Sequence, residues 1–166
     1  IASDLRELRV YGERGRFVHY SLTGNHRMDE LQAAVLRAKL PHLSDWNYKR
    51  AQVAKAYIAV MSGLPSLVVP EWHPGHTWHI FALRVEEPES PRRLAGWLEK
   101  RGIQTAVRYP VPLHLQPALK HLGYTQGSFP MAEKWAKTNL SLPIYPEMTA
   151  EMIEMVCAAV REAYDL

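Results

Sequence analysis

The chain has 166 residues, 47% of them apolar, and carries a formal charge of +3 with a sequence pI of about 9.0. That length supports about one sizeable core, and charge interrupts every apolar run well short of the roughly 18 residues a membrane span needs, so a globular protein that enters no membrane is expected. The basic balance suits a phosphate-bearing partner, but it forms no block or stripe, which speaks against a nucleic-acid surface.

Ile1-Ala2-Ser3-Asp4 offers no initiator Met and no leader pattern, and reads as a cut end. A single cysteine, Cys157, excludes an internal disulfide and fits a reducing cytoplasm; within the apolar run Met155 to Ala159 it reads as a buried structural thiol.

In chain order, residues 1–12 read as the tail of a helix with Leu5, Leu8 and Val10 as apolar positions, closing at Tyr11-Gly12. Residues 13–27 show no period and read as a loop or short extended segment, of a length that is usually functional. From Asp29, Leu31, Ala34, Val35 and Ala38 fall at helical spacing, and Asp29 with Gln32 resembles a capping box. Pro41 interrupts this helix, and Leu43 through Met61 resumes it up to Gly63, which predicts one kinked helix.

Residues 65–70 read as a short strand and 76–85 as a longer one, with Thr77, His79, Phe81, Leu83 and Val85 on one face. Ser90-Pro91 opens a helix through Leu94, Trp97 and Leu98 that Gly102 closes, and 103–109 reads as a strand. That order implies a small α/β layer with helices on one face. The prolines of Tyr109-Pro110-Val111-Pro112-Leu113-His114 demand a shaped loop. Helices near 117–122, 130–139 and 149–164 complete the chain.

Two loops carry polar and aromatic side chains at close spacing. Gly24-Asn25-His26-Arg27 precedes a helix start and offers an amide, a guanidinium fork and unpaired N–H groups, a donor set for an anionic oxygen. On these residues alone an ordinary turn, with Asn25 tolerating left-handed backbone, is the favoured reading. The loop Arg108 to His114 presents Arg108, Tyr109 and His114 either to a polar pocket or merely around a stiff chain reversal. His73, His76 and His79 have metal-like spacing, but a strand sends His76 and His79 to opposite faces, so no metal is expected. The five tryptophans read as core anchors, and the seven lysines as solvated helix positions.

Gly24-Asn25-His26-Arg27-Met28-Asp29-Glu30-Leu31-Gln32-Ala33-Ala34 closely resembles the sugar aminotransferases of the DegT/DnrJ/EryC1/StrS family. The resemblance continues in order through Lys39 to Leu43 and Trp46-Asn47, through Tyr109 to Pro117, and through Leu140 to Pro146. It implies an α/β protein of the type I PLP-dependent transferase (aspartate aminotransferase-like) fold, this chain being its C-terminal part with an α+β small domain. Residues 1–24 would end the large pyridoxal-phosphate (PLP) domain and its connecting loop, and 25–166 would form the small domain with its long connecting helix.

The same resemblance implies PLP as cofactor, glutamate and a nucleotide-linked keto deoxysugar as substrates, and a homodimer with shared active sites. Asn25 matches the family residue that reaches the cofactor phosphate of the neighbouring subunit, and Arg27 lies beside it. His114, Tyr109, His19 and Tyr20 match the substrate side. The Schiff-base lysine would precede the position of Ile1, so no residue of this segment is expected to be catalytic and the segment alone is expected to be inactive. A PLP-dependent sugar dehydratase and a non-catalytic interaction module are the alternative readings.

Overall fold

A computed structural model of the chain describes residues 1–14, 18–87 and 89–164, which form two compact units, Ile1–Leu43 and Ser44–Leu166. In the first unit helix α1, Ala2–Leu8, ends sooner than the apolar pattern predicts. The chain then turns where Tyr11 and Gly12 take positive φ values of 62° and 68°. A side chain at Gly12 would place its Cβ 2.2 Å from the Ser21 carbonyl oxygen, so the turn demands glycine for its angle and for its space. Isolated bridges Val10↔Asn25 and Glu13↔His19 make the following stretch a folded-back extended loop, as expected; its residues 15–17 lie outside the described set.

Helix α2 spans Glu30–Lys39. Asp29 stands at its N-cap, but the capping box does not form: the Asp29 side chain makes no cap bond, and its carbonyl accepts the Ala33 N–H at 2.9 Å instead. Pro41 sits in a 3-10 turn, Leu40–His42, and helix α3, Leu43–Met61, follows directly, as a proline that removes one donor without stopping the helical path predicts.

The second unit is built on a three-stranded antiparallel sheet ordered β1 (Leu67–Val68), β2 (Phe81–Val85), β3 (Asn139–Leu142). Period-two alternation buries Phe81, Leu83 and Val85 on one face, and β3 pairs Leu142 with Phe81 and Leu140 with Leu83 in the same layer. Helix α3 adds Val53, Ala54, Tyr57 and Met61 to this core, helix α4 (Pro91–Glu99) adds Leu94 and Leu98, and helix α6 (Ala150–Tyr164) adds Val156, Cys157 and Val160. Cys157 is thus the buried structural thiol its setting implies, and burial pushes it above the ordinary thiol range. The Tyr57 hydroxyl donates to the Pro143 carbonyl at 2.8 Å and ties α3 to the segment after β3.

Several expectations are corrected. The strand predicted from 76 starts only at Phe81, because Trp78 adopts a φ of 53° that no strand tolerates, and the strand at 65–70 shrinks to two residues. The strand predicted at 103–109 is a single bridge, Ala106↔Ser141, and β3 takes the sheet position beside it. Helices also cover both sheet faces: helix α5, Pro130–Thr138, lies over the second, where the Arg84 guanidinium sits 5.9 Å from the Trp135 ring centre. The helix expected at 117–122 is a 3-10 helix, Pro117–Leu122. At α4 the expectation holds in detail, with the Ser90 hydroxyl accepting the Arg93 N–H and Gly102 at φ 74° past the end.

Candidate functional site

In the first unit a buried carboxylate organises the loop. Glu7, 8% exposed, accepts from the Arg14 guanidinium and from the Ser21 hydroxyl, while Thr23 donates to the Leu8 carbonyl at 3.0 Å. These bonds hold His19, Tyr20, Asn25 and Arg27 in one short loop. His19 engages the Tyr11 carbonyl through Nδ1 at 3.0 Å, and the exposed Tyr20 ring lies under the Arg14 guanidinium, 5.8 Å from it.

Asn25 Oδ1 accepts the Arg27 N–H at 3.3 Å, a local turn of the kind asparagine favours. The Asn25 amide group and the Arg27 guanidinium are left without partners among the described residues, both exposed and just ahead of the first turn of α2. This set holds donors only, which fits a phosphate and offers nothing to a cation. The turn is built by the Asn25 side-chain oxygen and not by a left-handed backbone, since Asn25 is not among the residues of positive φ, and its NH₂ is left without a partner among the described residues.

In the second unit the loop from Arg108 is anchored at both ends by buried polar side chains. Asn139, fully buried, accepts the Arg108 N–H at 2.7 Å and donates to the carbonyls of Trp135 and Ala136 at 2.8 and 3.3 Å, so the end of α5 sets where the loop departs. At the far end His114 Nε2 lies 3.0 Å from Glu133 Oε1, both residues being 8% exposed. Glu133 also accepts the Gly127 N–H at 2.7 Å and the Phe129 N–H at 3.4 Å. Burial acts to raise the Glu133 carboxyl, and these donors more than offset it, holding it below the usual carboxylate range. The loop therefore turns His114 inward, against Phe129 at 4.9 Å, and Tyr109 outward at 71% exposure.

Beside this loop a cleft of about 260 Å³ opens between β3 and residues 104–108, lined by His79, Thr105, Arg108 and Ser141 among others. The Ser141 hydroxyl is buried there without a hydrogen-bond partner, and the Arg108 guanidinium makes no contact with a carboxylate among the described residues. Sequence reasoning missed Glu133, Asn139 and Ser141; the alternation Leu140, Leu142 before Pro143 was the one signal that β3, and so its polar face, existed. His73 and His76 each use Nδ1 to accept a nearby backbone N–H, from Gly75 and Trp78. Among the described residues no three His, Cys, Asp or Glu side chains gather as a metal site would require, and no helix is long and apolar enough to cross a membrane.

The chain is similar to known proteins over nearly its whole length. The profile of the DegT/DnrJ/EryC1/StrS aminotransferase family matches residues 1–161. The erythromycin biosynthesis sensory transduction protein EryC1 of Saccharopolyspora erythraea is 43% identical over 163 residues, 97% of this chain and 44% of that protein. The dTDP-3-amino-3,4,6-trideoxy-alpha-D-glucose transaminase of Streptomyces venezuelae is 42% identical over 164 residues, 98% of this chain and 42% of that protein. A crystal structure of S. venezuelae DesV in complex with a ketimine intermediate superimposes with a TM-score of 0.90 at 41% identity, covering 99% of this chain and 44% of that one. The chain thus spans less than half the length of the relatives it matches, and its fold is that of the corresponding part of an aminotransferase of this family, as the resemblance implies.

Proposed function

Since the chain belongs to the DegT/DnrJ/EryC1/StrS aminotransferase family, we propose that it is the C-terminal part of a PLP-dependent aminotransferase that moves an amino group from glutamate to the keto carbon of a nucleotide-linked deoxysugar. The observation that carries this reading is the similarity, along 98% of the chain, to a relative named as a dTDP-amino-sugar transaminase.

The donor set at Asn25 and Arg27 fits the cofactor phosphate. Their free amide and guanidinium would hold it beside the α2 start, in the active site of the neighbouring subunit of a homodimer. Once bound, PLP supplies the electron sink for amino transfer. The exposed Tyr109 ring would meet the sugar nucleotide directly, and His114 would act from behind the loop by fixing its course through Glu133; His19 and Tyr20 would border the same shared site. Residues 1–24 would end the large domain and 25–166 form the small one.

The lysines of this chain lie on helices or at helix ends, where Lys49 pairs with Asp45 at 2.8 Å, Lys134 with Glu86 at 2.7 Å, and Lys55 sits over the Trp72 ring. The Schiff-base lysine is assigned, as the family resemblance implies, to the remainder of the full-length protein.

The test is a PLP titration of the full-length protein and its Asn25→Ala variant. Losing a hydrogen bond to a charged phosphate should weaken the cofactor about ten- to hundredfold. Equal affinity would remove Asn25 from the cofactor site.

A further inference from the structure

The first two histidines of the run His73, His76, His79 shape a loop. His73 Nδ1 accepts the Gly75 N–H at 3.1 Å, His76 Nδ1 accepts the Trp78 N–H at 2.8 Å, and the His76 N–H donates to the His73 carbonyl at 3.1 Å. These bonds fix the path into Trp78, whose φ of 53° lies in the left-handed region that a bulky residue occupies only when its surroundings enforce it. Such strain collects at ligand sites and switches. Here it sets a column of rings: Phe81 and Trp78 at 5.9 Å in the core, then Trp72 stacked on Trp78 at 5.5 Å and 17°. The Lys55 Nζ caps the column, 4.7 Å from the Trp72 ring centre. An ammonium held by a ring keeps its three N–H donors, and Lys55 pairs with no acid among the described residues.

A cleft of about 330 Å³ opens between this loop and α3, lined by Tyr48, Gln52, Lys55, Trp72 and His76 among others. Two of these residues offer ring surface, Tyr48 at 64% exposure and Trp72 at 39%. The polar groups are chiefly donors: the Lys55 ammonium, the Gln52 amide, and His76, whose accepting Nδ1 leaves the hydrogen on Nε2. No Asp or Glu is among the lining residues.

This lining selects a flat ring that carries an anion. Sugar hydroxyls need strong acceptors, which a cleft without carboxylates lacks, whereas phosphate oxygens and the carbonyls of a base need donors. Bases stack on aromatic side chains, and the Gln52 amide can both donate to and accept from a base edge. The volume stands at the low end of the roughly 300–1,000 Å³ of pockets that enclose drug-sized molecules, which suits one base and its phosphate.

We propose that this cleft holds a nucleoside phosphate, with the base against Tyr48 and Trp72 and the phosphate on Lys55. The choice of thymine as the base to test rests on the aminotransferase reading; the affinity of the cleft for a nucleoside phosphate does not. Two sources share this chemistry, the nucleotide end of a nucleotide-linked sugar and a free nucleotide, and the experiment separates them.

The full-length protein is labelled with 5-fluorotryptophan, and the Trp72 resonance is assigned by its loss in Trp72→Phe. That ¹⁹F signal is followed while dTMP is titrated, with thymidine and glucose 1-phosphate as parallel probes. It should shift to saturation with dTMP, and Lys55→Gln should weaken dTMP about ten- to hundredfold while leaving thymidine unchanged. Lys55 is exposed, so the variant should keep the wild-type melting temperature.

No Trp72 shift with dTMP, an unchanged dTMP affinity in Lys55→Gln, or a glucose 1-phosphate response as tight as that of dTMP overturns the site. A KM for a dTDP-linked keto sugar that rises in Lys55→Gln by the same factor marks the nucleotide of the substrate; an unchanged KM marks a free nucleotide. The two claims separate. Lys55-dependent dTMP binding without amino transfer to any nucleotide-linked keto sugar would leave the site and remove the function, and amino transfer with a silent Trp72 signal would do the reverse.

Discussion

Asn139 offers the sharpest mutational test of how the second unit positions its loop. Its side chain makes three hydrogen bonds at full burial: one accepted from the Arg108 N–H, two donated to the carbonyls of Trp135 and Ala136. Replacement by Ala removes all three. The Trp135 carbonyl keeps the backbone N–H of residue 139, so the groups left short are the Arg108 N–H and the Ala136 carbonyl. At about 1 kcal/mol net per bond, and more for a buried group left unpaired, the loss should be about 3 kcal/mol. Asn139→Asp keeps an acceptor for Arg108 but sets a carboxylate against two carbonyl oxygens, so it should be at least as damaging.

Native-state hydrogen exchange at the Arg108 amide reads this locally. A loss of about 3 kcal/mol corresponds to roughly hundredfold faster exchange, and both variants should show it. Acceleration below about threefold in both would refute the claim that this amide anchors the loop.

Three further outcomes are expected. Leu83→Ala, at a fully buried position paired with Leu140 across the sheet, should cost about 2–5 kcal/mol in urea unfolding; a loss under about 1 kcal/mol would mean the core is not centred on β2. Gly12→Ala must displace the Ser21 backbone, so the Tyr20 amide, which bonds the Gly12 carbonyl at 2.8 Å, should lose exchange protection while amides of β2 and β3 keep theirs; retained protection at Tyr20 would contradict the tight turn.

Glu133 supplies a pH dependence. Its folded carboxyl lies below the ordinary carboxylate range. It therefore contributes stability that is present above the ordinary carboxylate range and lost as pH falls below it, through the lower folded-state titration. Glu133→Gln should be less stable than wild type near neutrality, and the gap should narrow as pH falls below the ordinary carboxylate range; a gap independent of pH in urea titrations would show that the carboxylate charge is irrelevant to the pair with His114.

The parts of the fold legible in the sequence are those where periodicity and local chemistry agree. The α3 stripe, the alternation of Phe81, Leu83 and Val85, and the Ser90 cap each combine an apolar period with a matching boundary residue. Where the two part, the pattern misleads. Residues 76–80 alternate well enough for a strand, yet Trp78 turns left-handed, and 103–109 has strand composition but lies along the sheet at a single bridge. Strand β3, four residues between a helix and Pro143, is signalled in sequence by nothing more than the alternation of Leu140 and Leu142.

The candidate site divides in the same way. Its exposed members, Asn25, Arg27 and Tyr109, sit on loops whose glycines and prolines are visible in the sequence. Its buried supports, Asn139, Glu133 and Ser141, have partners 31, 19 and 35 positions away in sequence at Arg108, His114 and Ala106, and only tertiary approach pairs them. His114 shows the consequence: it reads as a ligand-facing residue in sequence, and the fold turns it toward Glu133.

The central claim is amino transfer to a nucleotide-linked keto sugar. The most direct measurement incubates the full-length protein with PLP, ¹⁵N-labelled glutamate and a dTDP-linked keto deoxysugar, and follows the sugar nucleotide by mass spectrometry. Incorporation of labelled nitrogen into the sugar, dependent on added PLP, is the predicted result; loss of a hydroxyl without nitrogen, or no change in the sugar at all, would contradict it.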